Sequence, residues 1–505
     1  MAAAPKRKKL VLCVIDALAP KMLERAVAAG AAPMLEHLID NGRYIPDCVA
    51  AFPSVTPVCA ASIITGASPD EHHIPAMNWY LREEQRYVEY GSSLRSAQRF
   101  GIARQLTDTV YNMNRAHLSA RTPTVFESLD DAGVRTAGTT YLMYRGRHRH
   151  DPQRDTALTR VAATLMRHPV LGPRELFYAD IFASRPTGCR SGLGMPGVRD
   201  RHSGCVSSYL VENDLFDFLL LSLPDNDWYS HKYGPEGQMH SIAQADLQLA
   251  RVFDAGGGIE EFLREHAVIV MADHSQVPVA QTIALQDELA DLGVLAPART
   301  PRRSREQEPR VAVCPSQRAA MVYALHESER DAMRASAAAR ALAIDGVAHL
   351  MWLARDAHDR PLEAIVQTPE REELRFAPGD DVHDVRGRTW SLDGALGVIG
   401  AEVADGRVDT PDYPDALERV WAALTSPTAG ELLLSAADGY EFIDWGRQAH
   451  VGGGSHGSLH ASDSLGALVL CGLKRPAAEP SQWSIRDVAP LVLEHFGLAR
   501  AATLA

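Results

Sequence analysis

The sequence predicts an α/β protein with a mostly parallel central sheet flanked by helices. Apolar runs typical of buried strands lie at residues 10–15, 218–221, 267–271 and 468–471. Segments between them carry apolar residues at helical spacing, as at 21–41 and 125–131. In such a sheet the carboxyl ends of the strands open into one crevice, so the residues that follow them are the first candidates for a functional site.

The elements of the first part can be placed in chain order. A strand at 10–15 precedes a helix at 21–41, whose apolar face includes Leu23, Leu35 and Leu38. Thr56 comes just before the apolar segment 58–64, which is predicted to be helical, and Pro57 suits the first turn of that helix. A helix at 125–131 and a strand at 134–141 follow.

The remaining segments are predicted to be insertions into one catalytic domain that spans residues 1–505. Residues 79–121 and 144–205 lack clear periodicity and are expected to form surface or cap insertions. Residues 296–440 are expected to form a second, cap-like α+β insertion that starts with an exposed loop at 296–312 and contains an Ala-rich helix at 328–344. Residues 441–505 then return to the core and end in a closing helix at 483–498.

Composition and charge exclude some classes of protein. The chain of 505 residues is long enough for one large core with insertions, or for two to three domains. Its net charge of −13 argues against a nucleic-acid-binding surface. No apolar stretch approaches the roughly 18 residues that a membrane span needs. These properties are compatible with a small phosphorylated substrate, since bound metal ions can reverse the local field.

The cysteines and the N-terminal segment indicate the cellular compartment of the protein. The seven cysteines are scattered without a disulfide framework, and several lie inside apolar runs, which indicates a reducing, cytoplasmic environment. The basic N-terminal segment precedes an apolar run that is too short for a signal peptide. We therefore interpret that segment as a basic tail before the first strand.

Six residues with metal-binding side chains follow the predicted strands or lie in a glycine loop: Asp16, Asp227, His231, Asp273, His274 and His456. Each has a plainer explanation alone, namely a helix cap for Asp16, a helix-surface pair for Asp227 and His231, a strand-end turn for Asp273 and His274, and a surface loop for His456. Taken together they suffice for two adjacent divalent ions with three protein ligands each. Zinc suits these ligands best, although manganese or iron also binds His and Asp.

Thr56 is the candidate nucleophile of this site. At a helix N-terminus a threonine is commonly only a cap, but free N–H groups and the helix dipole there also favour a phosphate and an alkoxide. A threonine hydroxyl needs a metal ion or a base to become nucleophilic. We therefore expect Thr56 to lie beside the metal ligands.

These residues resemble the alkaline phosphatase superfamily, most closely its nucleotide pyrophosphatase/phosphodiesterase branch, with phosphonoacetate hydrolase nearby. The segment 52–74, in which Thr56 precedes Thr65-Gly66 by nine residues, is similar to the nucleophile segment of that branch. The resemblance implies an alkaline-phosphatase-like core. It also implies one metal on Asp227, His231 and His456 and another on Asp16, Asp273 and His274, with Thr56 between them.

Two further residues are implied by the resemblance alone. Asn78 matches an asparagine that hydrogen-bonds a phosphoryl oxygen, with one extra residue in the intervening loop. Lys232 lies near a lysine that recognises substrate in the phosphonoacetate hydrolase branch, and a solvated side chain is the alternative. Asp227 is preferred to Asp225 because only Asp227 has the four-residue spacing to His231.

The predicted function is that of a metal-dependent phosphodiesterase or nucleotide pyrophosphatase with a covalent threonine intermediate. The alternatives are hydrolysis of phosphomonoesters, phosphonates of the phosphonoacetate type or sulfate esters, and a non-catalytic metal-binding module. A phosphomutase on the same scaffold generally uses serine, which Thr56 disfavours.

Overall fold

The computed structural model describes residues 7–299, 308–474 and 479–499. Much of the predicted loop 296–312 and most of the basic tail lie outside these ranges. The strands are, in chain order, β1 (Lys9–Ile15), β2 (Arg43–Val49), β3 (Asn78–Leu81), β4 (Arg86–Glu89), β5 (Thr136–Thr139), β6 (His148–His150), β7 (Val170–Gly172), β8 (Glu175–Tyr178), β9 (Phe182–Ala183), β10 (Phe218–Leu223), β11 (His266–Met271), β12 (Val277–Ile283), β13 (Val311–Ser316), β14 (Ala319–Ala324), β15 (Val347–Arg355), β16 (Pro361–Gln367), β17 (Glu373–His383), β18 (Thr389–Gly394), β19 (Glu402–Ala404), β20 (Arg407–Asp409), β21 (Leu432–Ala436), β22 (Gly439–Phe442), β23 (Gly454–Ser455) and β24 (Leu465–Cys471).

The α-helices are α1 (Pro20–Ala28), α2 (Pro33–Asp40), α3 (Thr56–Thr65), α4 (Pro69–His72), α5 (Leu94–Phe100), α6 (Ile102–Thr107), α7 (Val125–Asp131), α8 (Ala157–Leu165), α9 (Arg199–Glu212), α10 (Asp225–Tyr233), α11 (Gln238–Ala255), α12 (Ile259–Glu265), α13 (Leu285–Glu288), α14 (Arg330–Ala341), α15 (Ala416–Thr425), α16 (Ala461–Ser464) and α17 (Val488–His495). A π-helix at Asp108–His117 continues α6, and short 3₁₀ turns lie at Pro235–Gly237, Ala290–Leu292, Glu327–Glu329, Leu396–Ile399 and Ile485–Asp487. None of the described helices is long and apolar enough to cross a bilayer.

The main sheet has eight strands in the order β2-β24-β11-β1-β10-β5-β8-β9. Strand β1 pairs in parallel with β10 and β11, β10 with β5, and β5 with β8. All four predicted strand runs belong to this sheet, which confirms the α/β class. The last of them, β24, is antiparallel to β11 and β2, so the segment that precedes β24 reaches the same edge as the segments that follow β1, β10 and β11.

Residues 311–436 build a second sheet of nine strands, ordered β13-β14-β21-β15-β16-β17-β20-β19 with β18 on β17. It is antiparallel except for a single parallel bridge between β17 and β20. Helix α14 packs on this sheet where the Ala-rich helix 328–344 is predicted, with shorter ends. A small separate sheet has the order β22-β12-β23, in which β12 follows β11 along the chain and β22 follows β21.

Several predictions need correction. The predicted helix 21–41 is two helices, because Gly30 takes a left-handed conformation with φ 65° and Pro33 starts α2. The segment 79–121 is not a surface excursion throughout, since its hairpin β3–β4 buries Trp79 and Tyr87. The hydroxyl of Tyr87 donates to the Leu295 carbonyl at 2.7 Å, which fastens the hairpin to the chain near the second sheet. The division into domains stays a prediction.

The segment 144–205 also differs from its prediction. It supplies β8 and β9, which extend the main sheet at one edge. Cys189 in this segment forms a disulfide with Cys205 on α9, with the two Cα atoms 5.9 Å apart. The scattered cysteine spacing did not reveal this pair, and the disulfide weakens the argument for a reducing compartment. The five other cysteines are free and buried.

Candidate active site

Helix α3 holds Thr56 at its first position. Every residue of α3 after Thr56 is buried, because the helix packs between the main sheet and helix α17. The helix ends at Gly66 in a left-handed conformation with φ 69°, and a Cβ there would lie 2.9 Å from Pro490 of α17. Thr56 is thus fixed at the N-terminal end of a rigid element, where the helix dipole favours negative charge.

The first cluster of candidate ligands joins the ends of β1 and β11. The ligand atoms of Asp16, Asp273 and His274 all lie within 4.8 Å of one another. His274 Nε2 is 3.6 Å from Asp16 Oδ1 and 3.5 Å from Asp273 Oδ2. The backbone N–H of Ala17 donates to Asp273 Oδ1 at 3.1 Å, which ties the two strand ends together. These three predicted residues therefore meet.

The second cluster lies beside the first. Asp227, His274 and His456 also have ligand atoms within 4.8 Å of one another, so His274 belongs to both groups. His456 Nε2 is 3.5 Å from Asp227 Oδ1, and His231 Nε2 is 3.3 Å from the same oxygen. The four-residue spacing on α10 thus brings the side chains of Asp227 and His231 together. The group with all ligand atoms within 4.8 Å, however, contains His274 in the position for which the sequence predicted His231.

Thr56 contacts the residue shared by both clusters. Its Oγ1 lies 3.3 Å from His274 Nε2. The structure thus places Thr56 and the six predicted ligand residues in one neighbourhood, although they are spread from residue 16 to residue 456.

The glycine loop before His456 makes a close approach to α10. A Cβ on Gly453 would lie 1.9 Å from the His231 carbonyl oxygen, and one on Gly454 would lie 2.6 Å from Gln276 Oε1. The absence of side chains there lets the Gly454 carbonyl accept a hydrogen bond from His231 Nδ1 at 2.7 Å. The loop is therefore glycine-rich because it packs directly on the backbone of the site.

A buried arginine supports the next part of this loop. The backbone N–H of Arg318 donates to the His456 carbonyl at 2.9 Å. Its guanidinium, fully buried, forms an ion pair with the equally buried Asp463 at 2.9 Å and donates to the Ala437 carbonyl at 3.0 Å. Asp463 in turn accepts from the Ser458 N–H at 3.0 Å. Sequence reasoning missed Arg318, since one arginine in a strand turn gives no signal of its role.

The hydrogen bonds of the histidines leave one ring nitrogen of each directed at the clusters. The Nδ1 atoms of His231, His274 and His456 face the backbone carbonyls of Gly454, Ser275 and Ser54, at 2.7, 3.2 and 2.7 Å. A carbonyl can only accept, so Nδ1 carries the proton and Nε2 keeps its lone pair in the neutral ring. This is how proteins orient metal-binding imidazoles.

Unpartnered atoms and charges fit bound cations as well. Asp16 Oδ1 and His456 Nε2 are buried and have no hydrogen-bond partner among the described residues. Burial, together with the carboxylates of Asp273 and Asp227, raises the pKa of Asp16. Burial and the adjacent His274 ring lower the pKa of His456, so that ring is neutral and able to donate its lone pair. Divalent cations are commonly bound by neighbouring carboxylates and imidazoles whose oxygen and nitrogen atoms have no hydrogen-bond partner.

The two residues implied only by resemblance lie elsewhere. Asn78 is buried, and its Nδ2 donates to the Val88 carbonyl at 2.8 Å within the β3–β4 hairpin, while its Oδ1 has no partner among the described residues. Lys232 is exposed, and its Nζ lies 4.9 Å from the ring centres of both Trp228 and Tyr233. Neither residue lines the cavity at the clusters, and their substrate-binding roles stay predictions.

Two residues that sequence reasoning missed do contact the site or its cavity. Gln276 Nε2 donates to Asp227 Oδ1 at 2.5 Å and orients that carboxylate. Its position two residues after His274 was the feature of the sequence that could have identified it. The hydroxyl of Tyr141, on the loop after β5, is buried without a partner among the described residues, and the side chain lines the cavity. Burial and the charges of Asp273 and Asp16 raise the pKa of Tyr141, so the hydroxyl is a neutral donor.

A cavity of about 530 Å³ opens onto the clusters, and Asp16, Thr56, Asp227 and Asp273 form part of its wall. Its size is within the range of about 300–1,000 Å³ found for small-molecule sites. A nucleophilic hydroxyl, two groups of metal-type ligands and a cavity therefore adjoin one another.

Comparisons with known proteins give a family match and several similar structures. Residues 10–459 match the sequence model of the family described as type I phosphodiesterase / nucleotide pyrophosphatase. Among solved structures, phosphonoacetate hydrolase from Sinorhizobium meliloti 1021, in complex with phosphonoformate, is 17% identical with a TM-score of 0.56, covering 98% of this chain and 96% of that one. Murine ectonucleotide pyrophosphatase/phosphodiesterase 5 is 11% identical with a TM-score of 0.58, covering 99% of this chain and 97% of that one.

The murine protein is also known as an inactive threonine-to-alanine variant in complex with AMP, with the same identity, coverage and TM-score. No curated protein matches the chain. The structural likenesses support the shared fold.

Proposed function

Because the chain belongs to the type I phosphodiesterase/nucleotide pyrophosphatase family, and is thus a hydrolase of phosphoric ester bonds, we propose that it is a phosphodiesterase with Thr56 as nucleophile. The observation that carries this proposal is the contact of Thr56 Oγ1 with His274, the residue common to both ligand clusters. The inactivity of the threonine variant of the murine protein adds support for a threonine in this role.

Two divalent cations, with zinc as the first choice and manganese or iron as alternatives, would be held by Asp16, Asp273 and His274 and by Asp227, His456 and His231. Such ions supply acidity to a hydroxyl and neutralise charge on a phosphoryl group. The other parts of the reaction depend on residues of the chain itself.

In the proposed reaction Thr56 Oγ1 gives up its proton to solvent and attacks phosphorus, the phosphorus–oxygen bond to the leaving group breaks, and the leaving oxygen takes up a proton from solvent to become an alcohol. The N-terminal end of α3 lies where negative charge grows, so its dipole favours the attacking oxygen and the phosphoryl group. Tyr141, whose buried hydroxyl has no partner among the described residues and whose side chain lines the cavity, would donate to a phosphoryl oxygen. Water then cleaves the phosphothreonine, frees Thr56 and gives overall retention of configuration at phosphorus.

The test compares Thr56→Ala and Thr56→Ser with the wild type on bis(4-nitrophenyl) phosphate. We expect the alanine variant to lose turnover by a factor of about 10³ or more and to retain its metal content, and the serine variant to keep part of the activity. Thr65→Ala is the matched control, because Thr65 lies on the same helix and donates to the Ala61 carbonyl at 2.6 Å. Full activity of Thr56→Ala, or inversion at phosphorus, would refute the covalent step.

The same assay with 4-nitrophenyl phosphate, phosphonoacetate and 4-nitrophenyl sulfate separates the diester proposal from its alternatives. A diester turned over at least tenfold faster than each of these supports the proposal. The cytoplasmic location stays a prediction.

A further inference from the structure

The wall of the active-site cavity away from the clusters is apolar. It is formed by α6 and the π-helix that follows it, the loop after β5, helix α8 and the segment after β8. Its apolar side chains include Leu106, Val110, Leu142, Leu165, Met166 and Ile181. Among the described residues, no Asn, Gln, Lys or His side chain lines the cavity.

Several hydroxyl groups of this wall already have partners, whereas that of Tyr141 has none among the described residues. Tyr90 Oη lies 2.8 Å from His117 Nδ1, and Thr109 Oγ1 donates to the Tyr90 carbonyl at 3.1 Å. Thr140 Oγ1 accepts from the Ala179 N–H at 3.3 Å. A nucleobase or a sugar would bury more donors and acceptors against this mainly apolar wall than it could pair, which is unfavourable.

The charges of the wall point the same way. Arg199 is the basic residue that lines the cavity in the described part of the chain. Its Nε donates to Asp225 Oδ1 at 2.8 Å and its Nη2 to the Pro224 carbonyl at 3.0 Å, so two of its five N–H groups are used within the protein. The wall therefore offers one partly engaged arginine to a second phosphate or a carboxylate, and otherwise mainly apolar surface.

The cavity also has an apolar opening. Val161 and Leu165, one turn apart on α8, line the cavity and yet are 66% and 59% exposed. An apolar group that fills the cavity can therefore extend past these side chains and cover them. Burial of such exposed apolar surface would add to binding.

We propose that the ester group which occupies this cavity is an uncharged apolar chain, so that the substrate is an alkyl phosphodiester and not a nucleotide. This inference rests on the proposed function, because it concerns the substrate of the same site. It specifies the ester group that contacts the wall and does not specify the second ester group of the substrate.

The experiment uses the zinc-loaded enzyme and the ethyl, butyl, hexyl and octyl 4-nitrophenyl phosphodiesters, with thymidine 5′-(4-nitrophenyl phosphate) as the nucleotide ester. We expect kcat/KM to rise by up to about fourfold for each methylene that enters the cavity, and the hexyl ester to exceed the nucleotide ester. A flat alkyl series, or a preference for the nucleotide ester, overturns the inference.

A matched pair of variants tests the wall itself. Leu165→Ser is expected to lower the ratio of octyl to ethyl turnover severalfold. Leu247→Ser changes a leucine that is equally exposed, at 57%, but lies on α11 outside this cavity, and it is expected to leave the ratio as in the wild type. Equal ratios in both variants contradict the assignment of the wall.

A binding series separates this inference from the proposed function. The Kd of ethyl-, butyl-, hexyl- and octylphosphonic acid, measured by calorimetry, is expected to fall with chain length whether or not any diester is cleaved. A falling Kd without turnover refutes the proposed function and supports the cavity assignment. A constant Kd overturns the cavity assignment even if diesters are cleaved.

Discussion

The buried ion pair of Arg318 and Asp463 gives a sharp prediction about the loop that carries His456. Replacing Arg318 with methionine keeps much of the side-chain volume and removes the charge. Asp463, which is fully buried, would then keep only hydrogen bonds from Ser458. Removing one partner of a buried pair costs roughly 3–5 kcal/mol, and the bonds from Ser458 favour the lower end of that range.

We expect Arg318→Met to lower the free energy of unfolding by about 3 kcal/mol in urea titrations and to weaken zinc binding. The second effect follows because Asp463, which loses its partner, bonds Ser458, two residues after His456. The exposed pair of Arg25 and Glu236 supplies the control, since Arg25→Met should change the free energy of unfolding by less than about 1 kcal/mol.

The double variant Arg318→Met/Asp463→Asn removes the uncompensated charge. It should regain part of the stability that Arg318→Met loses, because a neutral amide is cheaper to bury than a carboxylate. The reasoning is refuted if Arg318→Met loses less than about 1 kcal/mol, or if the double variant is less stable than the single one.

Three further predictions concern the site and its surroundings. Tyr141→Phe should lower kcat roughly tenfold to a hundredfold with little change in KM, because it removes a donor to a charged phosphoryl oxygen, and an unchanged kcat would exclude that contact. Chelation should abolish turnover and lower the melting temperature, zinc should restore both, and activity that survives complete metal removal would contradict the two-cation proposal. Burial raises the pKa of Glu89 to about 7 from 4.5, so its contribution to stability is present below pH 4.5 and is lost as the pH rises through 7. Glu89→Gln should therefore remove a decline of roughly 3 kcal/mol in the free energy of unfolding between these pH values, and an unchanged pH profile would contradict the burial argument.

The sequence predicted the strands of the main sheet and the residues at their ends, because continuous apolar runs and the positions of Asp16, Asp227 and Asp273 depend on local patterning. Helix α3 was also predictable, since Pro57 and the small apolar residues after it determine its start. The prediction of a helix at 125–131 was correct, because Thr124 and Glu127 form a capping box at its start.

Other features depend on contacts between distant residues. The burial of Trp79 and Tyr87 arises from packing of the hairpin against other parts of the chain, which polar neighbours in the sequence conceal. The partnership of Cys189 with Cys205 requires that the segment 144–205 fold back on α9. Tyr141 and Arg318 have roles that follow only from what surrounds them, so no local pattern could identify them.

The place of β24 in the main sheet has a consequence for synthesis of the protein. Strand β2, near the N-terminus, joins the sheet only through β24, which comes from the last tenth of the chain. While the polypeptide is emerging from the ribosome, β2 and β11 both present unpaired backbone edges that invite association with other chains. His456 also arrives late, so a nascent chain can gather Asp16, Asp273 and His274 well before it can complete the neighbouring group of ligands.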